Sequence, residues 1–149
     1  MQVGEFCNRE VIIIGGDESV KAAAELMRRH HVGDVVLVEE REGRRIPVGI
    51  ITDRDLVLEV MVPGLDPEAL AVKDIVTSAL SSVRVDDSLF DALEMMRAKA
   101  VRRLPVVDAD GALAGILAVD DVMALLTEML GHLSAVVERQ RSREASQRP

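Results

Sequence analysis

A block of seven residues that occurs twice constrains the fold of this chain more than any other feature. Residues 49–55 read Gly-Ile-Ile-Thr-Asp-Arg-Asp, and residues 115–121 read Gly-Ile-Leu-Ala-Val-Asp-Asp. Upstream of the block, residues 17–38 resemble residues 86–107 at many positions, and a short charged insertion at 41–45 belongs to the first copy alone. Two units of roughly 60 to 70 residues are too few for a solenoid, so the repetition predicts a duplicated fold with pseudo-twofold symmetry.

Length and composition indicate a globular protein with an aliphatic core. The chain has 149 residues, of which 48% are hydrophobic, and it contains two Phe but no Trp or Tyr. Because it lacks aromatic stacking surfaces and has a net charge of −8, nucleic acid is not an expected partner. No apolar run is long enough to span a bilayer, and the N-terminus lacks the features of an export signal. We therefore expect a cytoplasmic protein without membrane association.

Hydrophobic periodicity predicts the same elements in each copy, in the order strand, helix, strand, strand, helix. In the first copy the predicted elements are 10–14, 20–29, 35–38, 48–51 and 53–62. In the second copy they are 83–85, 89–99, 104–107, 114–117 and a last helix from 120 to about 138. The polar residues 140–149 lack apolar periodicity, and we expect them to be disordered. The predicted organisation is a first repeat at 5–63, a connector at 64–74, a second repeat at 75–130, and a helix end with a polar tail at 131–149.

Taken together, these features resemble a tandem pair of CBS domains, the Bateman module. The resemblance rests on the paired β-α-β-β-α units, on the Gly-Ile-Ile-Thr-x-x-Asp block and on the segment Arg103-Leu104-Pro105-Val106-Val107-Asp108. It covers about residues 5 to 130, and we expect no attached catalytic or channel domain. It implies an α/β fold in which two pseudo-twofold related repeats pack sheet against sheet.

The resemblance also implies a function. In this family, clefts between the two repeats can hold adenosyl ligands such as AMP, ADP, ATP, NAD or S-adenosylmethionine, and the modules commonly pair into disk-like dimers. We therefore expect a regulatory module that uses an adenosyl nucleotide as its ligand, needs no other cofactor, and signals through a homodimer or an unidentified regulated protein. A structural dimerisation adaptor without a ligand is the alternative.

The copy of the block that contains threonine has local chemistry suited to a nucleotide. A strand end followed by a helix start directs backbone N–H groups to one point, where anions are favoured. Thr52 can donate its hydroxyl to a phosphate oxygen, and Asp55 can accept from the vicinal hydroxyls of a ribose. The same Thr-x-x-Asp spacing is also a capping box, which stabilises a helix start without any ligand. Ala118 stands at the equivalent position of the second copy, so the fold does not require the hydroxyl.

The resemblance implies which residues complete the cleft around Thr52 and Asp55. Ile51 precedes them in the first repeat, and the facing wall comes from the second repeat, with Thr77, Leu80, Ser82, Val101, Arg102, Arg103 and Pro105. Arg103 is the expected charge partner of a phosphate, because a guanidinium offers planar, bidentate donors. The alternative is that the adjacent arginines are simply solvated.

The opposite cleft is expected to be a weaker second site. It combines Asp121 with Asn8, Val11, Ile13 and Asp34, the last of which stands where the first cleft has Arg103. An acidic side chain that faces a phosphate in a partly buried cleft costs on the order of several kcal/mol. We therefore expect phosphate on the Thr52 side only, and at most an uncharged adenosyl group beside Asp121.

Other chemically interesting residues have simpler interpretations. His30 and His31 are adjacent in a predicted helix and point about 100° apart, which favours a polar pair at a helix end over a metal site. Cys7 is the only cysteine, so it forms no internal disulfide, and a redox-linked regulator acting through Cys7 is a third possible function. The sequence shows no nucleophile with its base, no metal cluster and no Walker-type loop, so we expect neither enzymatic activity nor a bound metal.

Overall fold

The computed structural model describes residues 1–76 and 79–148, and the chain divides into two compact units, Met1–Leu117 and Ala118–Pro149. The first repeat contains α1 (Val3–Phe6), β1 (Ile13–Gly15), α2 (Val20–His30), β2 (Asp34–Arg41), β3 (Arg44–Thr52), α3 (Asp53–Leu56) and the π-helical segment Val57–Met61. The chain continues with α4 (Val72–Ile75), β4 (Val83–Arg84), α5 (Leu89–Lys99), β5 (Arg103–Val107) and β6 (Leu113–Ala118). The second unit consists mainly of α6 (Val119–Gln147).

In the described residues, each repeat contributes one sheet of three strands. β1 runs parallel to β2, and β2 pairs antiparallel with β3, with a register irregularity between Leu37 and Val38. β4 runs parallel to β5, and β6 completes the second sheet beside β5. The predicted order of strands and helices is therefore confirmed in both repeats, and with it the α/β fold class.

The helices α2 and α5 occupy equivalent places and form for the same local reasons. Ser19 and Ser88 each accept a hydrogen bond from a backbone N–H in the first turn of the following helix, which satisfies one of its otherwise unpaired donors. Each helix buries three apolar side chains along one face. Each ends at a residue in the left-handed conformation, His31 and Ala100, both with φ of 54°.

The short helix that precedes the first strand of each repeat is hydrogen-bonded to the other repeat. Val3 N, in α1, donates to Asp87 O at 2.9 Å in the second repeat. In the equivalent way, Val72 N in α4 donates to Glu18 O at 2.9 Å, and the Val72 side chain is fully buried in the core of the first repeat. The connector expected at 64–74 thus supplies a core residue to the repeat that precedes it.

The glycine that opens each copy of the repeated block lies where one of these segments crosses a strand. A Cβ at Gly49 would overlap the Val76 side chain. A Cβ at Gly115 would lie 2.7 Å from the backbone O of Asn8 and 2.8 Å from Cys7 Sγ. A glycine within a strand commonly marks such a close approach. Steric contact between the repeats therefore accounts for the glycine in both copies.

The helix α6 extends to Gln147, so the structure differs from the disorder expected at 140–149. Residues 138–147 consist of Glu, Arg, Gln, Ser and Ala, without Gly or Pro, and most of these residues favour helix. The missing apolar periodicity in this stretch indicated a lack of packing contacts, and it did not exclude helix. Among the described residues, no helix combines the length and the apolar character needed to cross a bilayer.

Candidate functional site

A cavity of about 590 Å³ lies in the first unit, where the end of β3 meets the starts of α3, β2 and β5. Its volume falls within the range of small-molecule sites in proteins. From the first repeat it is lined by Gly33, Asp34, Gly49, Ile50 and residues 52–55. From the second repeat and the segment before it, the walls are Ile75, Val76, Ala79, Leu80, Ser81 and residues 100–104. Residues from both halves of the duplication therefore converge on one space.

Thr52 and Asp55 form the capping box that their spacing predicts, and both also line the cavity. Thr52 Oγ1 accepts a hydrogen bond from Asp55 N at 3.1 Å, and Asp55 Oδ2 accepts one from Thr52 N at 2.9 Å. The cap leaves the Thr52 O–H as a donor, and it does not use the second carboxylate oxygen of Asp55. The structural and the ligand-binding interpretations are therefore compatible, because the cap holds both side chains at the cavity wall.

Arg103 lies at the start of β5 and forms an ion pair with Asp34 at the start of β2. The distance from Arg103 Nε to Asp34 Oδ2 is 2.9 Å, and the two side chains are 37% and 11% exposed. This contact does not meet hydrogen-bond geometry, and among the described residues the buried Asp34 Oδ2 has no hydrogen-bond partner. The interpretation of Arg103 as a merely solvated side chain is therefore wrong. Its terminal N–H groups still offer donors in a planar fork.

The surroundings of the Asp34 carboxyl group disfavour its charged form. Burial raises its pKa above the ordinary value of 3.8, the neighbouring Arg103 guanidinium opposes that effect, and the negative charge of Asp53 adds to it. Desolvation outweighs the ion pair because the buried Oδ2 atom loses water and, among the described residues, gains no hydrogen bond in return. An anion that entered the cavity would compete with Asp34 for the same guanidinium.

Most residues expected in this cleft line the cavity, namely Thr52, Asp55, Leu80, Val101, Arg102 and Arg103. Ile51 does not line it, because alternate residues of a strand point to opposite faces and Ile51 is fully buried in the core of the first repeat. Pro105 is likewise buried, and it does not line the cavity. Ser82 is exposed, and Ser81 contributes to the wall in its place. Thr77 lies outside the residues that the structure describes.

Some wall residues were missed by sequence reasoning. The same alternation that takes Ile51 into the core brings Ile50 to the cavity, so the period of two along β3 could have identified it. Gly33 had no comparable signal. It lies in the wall because Asp53 N donates to Gly33 O at 3.0 Å, and a Cβ there would lie 3.2 Å from Asp53 Oδ2.

The structure corrects the assignment of Asp34 to the opposite cleft. Asp34 lines the same cavity as Thr52 and pairs with Arg103. Asp34 and Arg103 occupy equivalent places in the two repeats, and equivalent residues meet when they lie near the pseudo-twofold axis. The first cavity therefore contains the acidic Asp34 beside the guanidinium of Arg103. Asp34 is not the residue that makes the second cleft repel phosphate, as had been expected.

The other residues expected at the second site have separate structural roles in the first unit. Asn8 forms an isolated antiparallel bridge with Ile116, and Ile13 pairs with Val36 between β1 and β2. Val11 is half-buried just before β1. Asp121 belongs to the second unit, where it lies exposed in the first turn of α6.

His31 and Cys7, the remaining candidates, lie in no catalytic or metal-binding cluster among the described residues. His31 is the left-handed residue that ends α2, so it serves a conformational role at the helix terminus. Cys7 is partly buried, and its Sγ lies 3.9 Å from Gly4 O. Within the described part of the chain, no three His, Cys, Asp or Glu side chains are grouped as metal ligands would be.

Comparison with known proteins identifies both repeats. The model of the CBS domain family matches residues 3–62 and again residues 72–128. An uncharacterized protein of Methanopyrus kandleri is 37% identical over 123 residues, which cover 83% of this chain but only 61% of that protein's length. The CBS domain-containing protein YhcV of Bacillus subtilis is 33% identical over 120 residues, which cover 80% of this chain and 81% of YhcV.

Solved structures share the fold. The crystal structure of Hypoxic Response Protein I with two coordinated zinc ions has a TM-score of 0.73 at 28% identity, and the similarity covers 83% of this chain and 98% of that one. A CBS domain protein from Pyrobaculum aerophilum, complexed with AMP, has a TM-score of 0.74 at 24% identity, covering 88% of this chain and 99% of that one. With two family matches that coincide with the two repeats, this chain belongs to the CBS domain family and is a tandem pair of CBS domains.

Proposed function

We propose that this chain is a regulatory module that binds an adenosyl nucleotide in the cavity of Thr52, Asp55 and Arg103. The observation that carries the proposal is the convergence of a hydroxyl, a carboxylate and a guanidinium from both repeats on one cavity of about 590 Å³. Tandem CBS domains are a module known for binding adenosyl ligands, and the structure from Pyrobaculum aerophilum is complexed with AMP.

Three polar side chains at the cavity, those of Thr52, Asp55 and Arg103, each suit one part of an adenosyl nucleotide. Asp55 would accept hydrogen bonds from the ribose hydroxyls through the carboxylate oxygen that the cap does not use. Thr52 would donate its hydroxyl to a phosphate oxygen, and Arg103 would supply charge and planar donors to the same phosphate. The apolar residues Leu80 and Val101 offer a surface for the flat base.

The regulatory effect would arise because residues of both repeats line the cavity. Because the cavity is lined by both repeats, a bound ligand stabilises the arrangement in which they are closest. A second copy of the chain or another protein would sense that arrangement only if it binds the ligand-bound and ligand-free states with different affinities. The proposed role is thus one of binding and signalling, without a chemical reaction.

Thermal unfolding with AMP, ADP, ATP, NAD and S-adenosylmethionine tests the proposal. A ligand at a hundredfold excess over its dissociation constant should stabilise the protein by about 2.7 kcal/mol, which corresponds to an increase in Tm of about 5–10 °C. If none of these ligands raises the Tm, the proposal is wrong and the ligand-free dimerisation adaptor is the function.

Variants of two equivalent aspartates locate the site. Asp55→Asn keeps an oxygen that can accept the cap hydrogen bond from Thr52 N but loses the second carboxylate oxygen, so the ligand-dependent increase in Tm should largely disappear while the unliganded Tm changes little. Asp121→Ala, at the equivalent position of the second repeat, should keep most of the increase. The reverse result would place the ligand in the other cleft.

A further inference from the structure

α6 carries a continuous apolar stripe that the described part of the chain leaves exposed. We define the α6 stripe by its residues Leu126, Met129, Leu130, Leu133, Val136 and Val137. Their exposed fractions range from 41% for Met129 to 66% for Leu130. The residues follow one another at intervals of three and four, so they share one face of the helix.

An exposed stripe of this kind marks an interaction surface. Residues 126 to 147 are all exposed, so this part of α6 has no packing partner within the described residues. Helices in proteins owe most of their stability to the packing of an apolar face, and contiguous exposed apolar patches are characteristic of binding sites. The stripe extends past residue 128, where the match to the CBS family ends. Five of its six residues therefore lie beyond the matched CBS domains.

The charge pattern of α6 indicates what covers the stripe. Residues 119–137 contain Asp120, Asp121 and Glu128 but no Lys or Arg, whereas residues 138–148 contain four arginines and two glutamates. In a parallel pair of such helices, acidic ends would meet acidic ends and basic ends would meet basic ends. In an antiparallel pair, each acidic end lies beside a basic end, and the helix dipoles also attract. The helix is thus complementary to itself in one orientation.

We propose that the α6 stripe packs antiparallel against the α6 stripe of a second copy of this chain. In this pairing the centre of the contact lies at Gly131, so Leu126 of one copy lies beside Val136 of the other, and Met129 lies beside Leu133. Four stripe residues, Leu126, Met129, Leu133 and Val136, occupy a and d positions of two heptads, and Leu130 and Val137 widen the contact at e positions. The proposal does not depend on nucleotide binding.

The mass of the full chain in solution gives the first test. Sedimentation velocity at micromolar concentration should give roughly twice the 16.2 kDa of one chain. The variant Leu133→Lys with Val136→Lys should weaken self-association at least tenfold, because two charges would be buried against apolar side chains. The control His132→Lys with Ala135→Lys has the same spacing on the polar side of α6 and should associate like the original chain. A monomeric original chain would overturn the proposal.

Disulfide crosslinking tests the orientation, even if another surface also holds two copies together. In a Cys7→Ser background, Leu126→Cys alone and Val136→Cys alone should form little crosslinked dimer, because in each case the two sulfurs lie about 15 Å apart along the helices. An equimolar mixture of these two variants should form a mixed disulfide. Efficient crosslinking of either variant alone would show a parallel pair. Failure of the mixture to crosslink would show that α6 does not bind its own copy in this way.

Discussion

At the level of single residues, Asp34 links the electrostatics of the fold to the candidate site. Its carboxylate pairs with Arg103 and lies near Asp53, and its buried Oδ2 atom has no hydrogen-bond partner among the described residues. Burial shifts the pKa upward, so the folded protein holds a proton at Asp34 more tightly than the unfolded chain does. The charged form therefore destabilises the fold at neutral pH.

The pH dependence of stability follows from the sign of this shift. The cost is fully present above the raised pKa of folded Asp34, decreases as pH falls through it, and vanishes below the ordinary value of 3.8. Asp34→Asn removes the charge, so the variant should be more stable than the original chain at pH 7, and the difference should shrink on acidification towards 3.8. Urea unfolding across this pH range measures the difference. A gap that widens as pH falls would contradict the assignment.

At the level of secondary structure, two short helices hold the repeats together, because α1 is hydrogen-bonded to the second repeat and α4 to the first. Each short helix lies just before the segment that crosses the repeated glycine of a strand. At Gly115 the closest atoms include the backbone of Asn8, which is less able to move aside than the side chain met at Gly49. The repeated glycines thus permit the close contact between the two repeats, and the first of them also lines the candidate site.

Substitution of this glycine should therefore be costly. Gly115→Ala should destabilise the fold by about 1–3 kcal/mol, because the added methyl group would force β6 away from Asn8. Gly131→Ala in α6 is the matched control, since a Cβ there meets nothing within 4 Å and the change should favour helix by up to about 1 kcal/mol. Thermal or urea unfolding measures both. Equal effects of the two substitutions would show that the close approach at Gly115 has no energetic importance.

At the level of the whole molecule, the duplication is symmetric in fold and asymmetric in chemistry. Thr52 caps α3 through its side chain, whereas Ala118 precedes α6 without a side-chain cap. Asp34 does not contribute to this asymmetry as expected, because it pairs with Arg103 at the first cavity. The missing hydroxyl remains the clearest difference between the two copies.

This asymmetry predicts the stoichiometry of nucleotide binding. Isothermal titration with AMP should show one tight site per chain, because only the first copy combines a hydroxyl with the aspartate at the start of its last helix. Thr52→Ala makes the first copy resemble the second and should weaken AMP binding about tenfold, the effect of one lost hydrogen bond to a charged group. Two sites of equal affinity would show that the hydroxyl is unimportant.

The sequence predicted most of the fold because the relevant interactions are local or repeated. Apolar periodicity identified α2 and α5 within one residue of their observed ends, and the duplicated block gave the family and the two repeats. Prediction failed where a residue's surroundings depend on the other repeat. Asp34 was expected at the opposite cleft, and only the assembled fold places it beside Arg103 of the other repeat.

By itself, the sequence determined the duplicated α/β fold, the membership in the CBS family, and the presence of Thr52 and Asp55 at a strand-to-helix junction. The tertiary structure decided that Asp34 lies beside Arg103 and that α1 and α4 are each hydrogen-bonded to the other repeat. It also decided that the segments after these helices pass close to Gly115 and Gly49. The physical reason is that helix periodicity and capping act between residues within a few positions of each other. Ion pairing, steric approach and burial act between residues that only the folded chain brings together.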